Sequence, residues 1–96
     1  TSSNYFFRKS PSHYHMMLIV MHAYKYQEKL SVEELKTKLF KTSRPKSALM
    51  IKEACDKNFF LLEKKGKDNR KKYVIPTPGF VNEFNDYLKT LNNLSF

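Results

Sequence analysis

A chain of 96 residues has room for one modest core, and with 41% hydrophobic residues, eight Phe and six Tyr it is not a disordered chain. Its net charge of +9 calls for an anionic partner: nucleic acid, an acidic membrane surface or an acidic protein. The single cysteine, Cys55, excludes an internal disulfide framework, and the longest apolar run, residues 16–21, is too short to span a bilayer, so the chain reads as cytoplasmic.

Residues 1–10 read as an N-terminal arm, in which Tyr5, Phe6 and Phe7 precede Arg8 and Lys9. A strand, a docked arm and a tail are all compatible with it. The first residue is Thr1 rather than Met, so an earlier segment is left open. Residues 11–96 read as a single domain. Pro11 and Ser12 open a helix over 12–28, where Tyr14, Met17, Leu18, Met21 and Tyr24 recur at steps of three and four. Ile19, Val20 and Ala23 widen its apolar face. Ser31-Val32-Glu33-Glu34 is a capping box, in which Ser31 accepts the N–H three residues on and Glu34 reaches back. Val32, Leu35, Leu39 and Phe40 then predict a short helix to about residue 40. Thr42-Ser43 offers a second cap, and Pro45 sits in a first turn where its missing N–H costs nothing. The helix that follows, 44–57, should turn Ala48, Ile51, Ala54 and Cys55 inward and Arg44, Lys46, Ser47 and Lys52 outward.

Asn58 tolerates a left-handed C-cap and closes that helix. Residues 59–63 and 72–76 are apolar and rich in Phe, Tyr, Val and Ile, and predict two strands. Between them Gly66 and Asp68-Asn69 make a turn, and Lys64, Lys65, Lys67, Arg70, Lys71 and Lys72 fill six of nine positions. Thr77-Pro78 opens a last helix over 78–92, with Phe80, Phe84, Leu88 (or Tyr87) and Leu91 near heptad spacing.

The order helix, helix, helix, strand, basic hairpin, strand, helix is mainly α with a small β-hairpin, a winged helix-turn-helix. In that arrangement the second helix of the pair enters a DNA major groove, and the hairpin meets the backbone or the minor groove. The charge distribution agrees: residues 41–72 hold eleven Lys and Arg against four acidic residues. Such a concentration suits a docking face.

Residues 31–79 resemble the MarR-type winged-helix transcriptional regulators. The likeness lies in Leu35, in Ser43 to Ala54, in the run Asp56-Lys57-Asn58-Phe59-Phe60, in Asp68 and Arg70 two apart, and in Thr77 opening the last helix. It implies that Ser43, Arg44, Lys46 and Ser47 read DNA, that Arg70 reaches a minor groove, and that Asp68 holds the wing turn. Asn58 stands where the family usually has Gly, and Gly79 follows Thr77 by two positions where three is common. The chain ends about one helix after the wing, where the family usually has a longer dimerisation region.

Nothing in the sequence suggests catalysis. There is no Gly-rich phosphate loop, and glycine occurs only twice. His15 and His22 share a helix side without the further ligands a structural metal site uses, so no metal and no cofactor are expected. Cys55 reads as a small core residue. The reading is a double-stranded DNA-binding regulator, a homodimer through Phe80, Phe84, Leu88 and Leu91, with no membrane partner, located with the nucleoid when bound. Any small-molecule effector is unknown from the sequence. Two rival readings are a winged helix that binds an acidic protein, and a viral or plasmid replication or packaging accessory that binds DNA without regulating a promoter.

Overall fold

The computed structural model describes residues 2–64 and 70–94. Its elements run α1 (Ser2–Phe7), α2 (Pro11–Lys25), α3 (Val32–Lys38), α4 (Arg44–Asp56), β1 (Phe60–Lys64), β2 (Lys72–Pro76) and α5 (Pro78–Leu94).

The stretch read as an arm contains α1, and its Phe6 and Phe7 are buried in the core. Tyr5 stays exposed. The Phe7 ring lies 5.5 Å from Phe59, 5.4 Å from Phe60 and 5.2 Å from Phe80, centre to centre, so a helix of six residues is held by tertiary packing. The Ser3 hydroxyl also donates to the Glu83 carboxylate, fastening α1 to α5.

Helix α2 starts at Ser10, whose hydroxyl accepts the His13 N–H. It ends in a left-handed Gln27 at φ 54°, with the Glu28 N–H on the Ala23 carbonyl, the hydrogen bonding of a Schellman cap. Its buried face is His13, Met16, Met17, Val20, Met21 and Ala23. This corrects the expected stripe: Tyr14, Leu18 and Tyr24 are exposed. Two apolar stripes overlap on this helix, sharing Met17 and Met21, and packing against α1 and β2 selects the other one.

His13 is buried, with Nδ1 2.6 Å from the Ser10 hydroxyl and the Phe6 ring edge-on at 5.1 Å. Its Nε2 has no hydrogen-bond partner among the described residues. Burial lowers its pKa from the ordinary 6.5, Lys9 and Lys46 lower it further, and Glu53 opposes them. An unfolded chain therefore takes up a proton near pH 6.5, whereas the folded chain resists until lower pH. The stabilisation is fully present above that value and is lost as the pH falls through the folded-state pKa. Urea unfolding midpoints should drop as the pH falls below 6.5, and His13→Leu should remove that part of the drop. An identical pH dependence in the variant would show that His13 titrates alike in the folded and unfolded chain.

The capping box of α3 forms as expected: Ser31 Oγ accepts the Glu34 N–H at 3.1 Å, and Glu34 Oε1 accepts the Ser31 N–H at 3.2 Å. Leu35 and Leu39 are buried, whereas Phe40, expected on the inner face, is 76% exposed because the helix has already ended at Lys38. The following turn is tied to α2 by a hydrogen bond from Thr42 Oγ1 to Ser12 Oγ. Ser43 caps α4 by accepting the Lys46 N–H.

Helix α4 ends at a left-handed Asn58, φ 65°. The Phe59 N–H reaches the Ala54 carbonyl and the Asn58 N–H reaches Cys55, again the Schellman pattern. That turn delivers Phe59 and Phe60 into the core and starts β1. Strands β1 and β2 pair antiparallel from Phe60 opposite Pro76 to Lys64 opposite Lys72. Leu30 and Ser31 add a short third rung, for the Val74 N–H donates to the Leu30 carbonyl and Ser31 bridges Tyr73. Thr77 ties the start of α5 to the end of α4: its hydroxyl donates to the Asn58 carbonyl at 2.8 Å and accepts the Phe80 N–H at 3.2 Å. Among the described residues no helix is long and apolar enough to cross a membrane.

Candidate nucleic-acid interface

Arg44 at the start of α4 reaches Glu33 of α3, and Glu33 borders a cleft with Arg70, Lys71 and Lys72 of the hairpin. Ser43 and Arg44 open α4, and Lys46 is exposed in its first turn. Arg44 Nη2 lies 2.8 Å from Glu33 Oε2, and Lys36 Nζ lies 3.7 Å from the same oxygen. The Arg44–Glu33 pair is exposed on both sides, so water screens it and a phosphate can compete for the guanidinium. Glu33 was not anticipated here; in the sequence it reads only as an acidic residue in the first turn of α3.

Ser47 does not belong to this face. It is fully buried, and its hydroxyl has no hydrogen-bond partner among the described residues. The buried side of α4 is Ser47, Met50, Ile51 and Ala54, while Ala48, expected inside, is exposed. Leu49, also exposed, points the same way as Pro45, Lys52 and Asp56 by helical spacing. Lys52 Nζ and Asp56 Oδ2 form an ion pair at 2.8 Å along that row.

In the hairpin, Lys64, Arg70, Lys71 and Lys72 are exposed. Lys64 and Lys72 stand directly opposite each other across the two strands. Lys65, Lys67 and Asp68 lie outside the described residues. A cleft of about 300 Å³ runs between the hairpin and α3, with Arg70, Lys71 and Lys72 on one side and Ser31, Val32 and Glu33 on the other.

The apolar stripe of α5 divides. Phe80 was expected at a subunit interface but is buried in the core, its ring against Phe7, Phe59 and Phe60. Phe84 is half-buried beside it. Leu88 and Leu91 remain 40% and 43% exposed. Leu88, with Leu18, Met21, Tyr24, Val81 and Phe84, lines a largely apolar groove between α2 and α5, about 540 Å³ in volume. No group of three or more metal-ligating side chains occurs among the described residues. Cys55 is half-buried, and burial, then Asp56, pushes its thiol pKa up, which favours the less reactive protonated form.

A capped helix pair, a basic hairpin on the strand that follows it, and a closing helix define a winged helix-turn-helix domain. A crystal structure of apo (heme-free) PefR shares that fold with a TM-score of 0.57 and 21% identity, over 90% of this chain and 74% of that one. No family model matches the chain, and no curated protein matches it.

Proposed function

We propose that this chain is a double-stranded DNA-binding transcriptional regulator of MarR-like type that acts as a homodimer. The observation that carries the reading is the hairpin register. Like charges directly opposite on neighbouring strands destabilise a sheet, yet Lys64 faces Lys72, with Lys71 and Arg70 adjoining. A polyanion against this hairpin turns that repulsion into attraction. The first turn of α4, with Ser43, Arg44 and Lys46, is the part of a helix-turn-helix that meets base edges, and Arg44 reaches Glu33, which borders the cleft beside Arg70, Lys71 and Lys72. The winged helix-turn-helix fold shared with PefR is compatible with this use.

Titration of labelled duplex at about 50 and about 200 mM salt tests it. Binding by some six phosphate contacts should weaken on the order of 1,000-fold across that range. Affinity that ignores salt, or no duplex binding, would favour an acidic protein as the partner.

The homodimer reading rests on the outer part of α5. Leu88, with Leu18 and Tyr24 across the groove, and Leu91 further along α5 leave apolar surface in water. Covering it is favourable at ~25 cal/mol per Å² of apolar area. A two-fold axis there presents two α4 helices to one face of a duplex, about one DNA turn apart, which implies a pseudo-palindromic site. Light scattering over a dilution series should give the dimer mass, and Leu88→Asp combined with Leu91→Asp should give a monomer with weaker duplex binding. A wild-type monomer at tens of micromolar would remove the dimer.

A further inference from the structure

The outermost row of α4 has few polar groups to offer a base. At about 100° per residue, the direction opposite buried Ser47, Met50, Ile51 and Ala54 belongs to Pro45, Leu49, Lys52 and Asp56, with Ala48 beside them. Pro45 has no N–H and Ala48 has no polar side-chain atom. The ammonium of Lys52 is held by Asp56 at 2.8 Å. What projects furthest without a polar partner is Leu49, 56% exposed in the second turn of the helix.

The leucine exposed on that row offers an apolar surface to whatever docks there. Lys46 and Lys52 stand one turn to either side of it by helical spacing. The surroundings thus suit a polyanion that also carries an apolar group. In a DNA major groove that group is the C5-methyl of thymine, which projects from the base edge and meets aliphatic side chains. We infer that Leu49, with Ala48 at its side, reads a thymine methyl group and so sets a preference for A·T at one position of each half-site. This rests on the DNA-binding reading above and adds its base specificity.

Deoxyuridine differs from thymidine only by the missing methyl, so it isolates this contact. A preferred duplex is first selected from a random library, and each thymidine is then replaced in turn. At one position per half-site the replacement should weaken wild-type binding about fourfold, the effect of one buried methyl group. Leu49→Ala should bind the thymidine site more weakly, and it should no longer distinguish the two bases there. Leu49 is exposed, so the variant keeps its fold, which an unchanged melting curve verifies. Equal binding of thymidine and deoxyuridine sites by the wild type would overturn the inference, as would equal discrimination by the variant, and Leu49 would then be free for a protein partner. Failure to bind any duplex appears at the selection step and overturns the DNA reading itself.

Discussion

Phe7→Ala should destabilise the fold by about 3–5 kcal/mol, the usual cost of deleting a fully buried phenyl ring. Phe7 is 1% exposed, and its ring meets Phe6, Phe59, Phe60 and Phe80 at centre distances of 4.9 to 5.5 Å. It therefore joins α1, the start of β1 and α5 in one cluster. The lost burial of the ring carbons is only part of the effect, because the other four rings cannot all close the space left behind. A domain of this size has about 5–15 kcal/mol of total stability, so the variant should melt more than about 10 °C lower. Thermal unfolding followed by circular dichroism reads this directly. A loss below about 1 kcal/mol would mean that α1 docks loosely and that the core closes without it.

Changing Arg70, Lys71 and Lys72 together to Ala should weaken duplex binding on the order of 100-fold near 0.15 M salt. Each phosphate contact removed makes the slope of log affinity against log salt shallower by about 0.9, so the triple variant should lose between two and three units. Selected and random duplexes should suffer alike, since phosphate contacts carry no base information. Lys72→Ala alone removes the Lys64–Lys72 opposition in the hairpin, so its melting temperature should hold or rise while its duplex binding weakens. Weaker binding with undiminished stability separates an interface role from a structural one. Unchanged affinity and slope would take the hairpin out of the interface.

Much of this architecture is written locally. The Ser31 capping box, the Ser43 cap, Pro45 in the first turn of α4, the left-handed Asn58 and the Thr77-Pro78 start of α5 each depend on a few neighbouring residues. Hydrogen bonds across three to five residues need no knowledge of the rest of the chain. With the apolar, aromatic and β-branched composition of the two strands, they set the order of elements and hence the winged helix-turn-helix. The concentration of basic residues in 41–72 is likewise a property of composition.

Which side of each helix faces inward was a different matter. On α4, Ser47 and Ala48 are adjacent and small, and either can be buried; hydrophobicity favours Ala48, but the packing of α4 on α3 and β1 buries Ser47. On α2 the choice between overlapping apolar stripes fell to α1, whose own helix is too short to persist without the core it completes. Phe80 and Leu91 belong to one stripe in the sequence, yet one is buried and the other meets water, because the hairpin and α1 cover only the first part of α5. Local hydrogen bonding and composition thus determined which elements form and in what order. Only the tertiary structure decided which face each one buries, because burial depends on contacts between residues far apart in the chain, such as Phe7 with Phe80 and Leu30 with Val74.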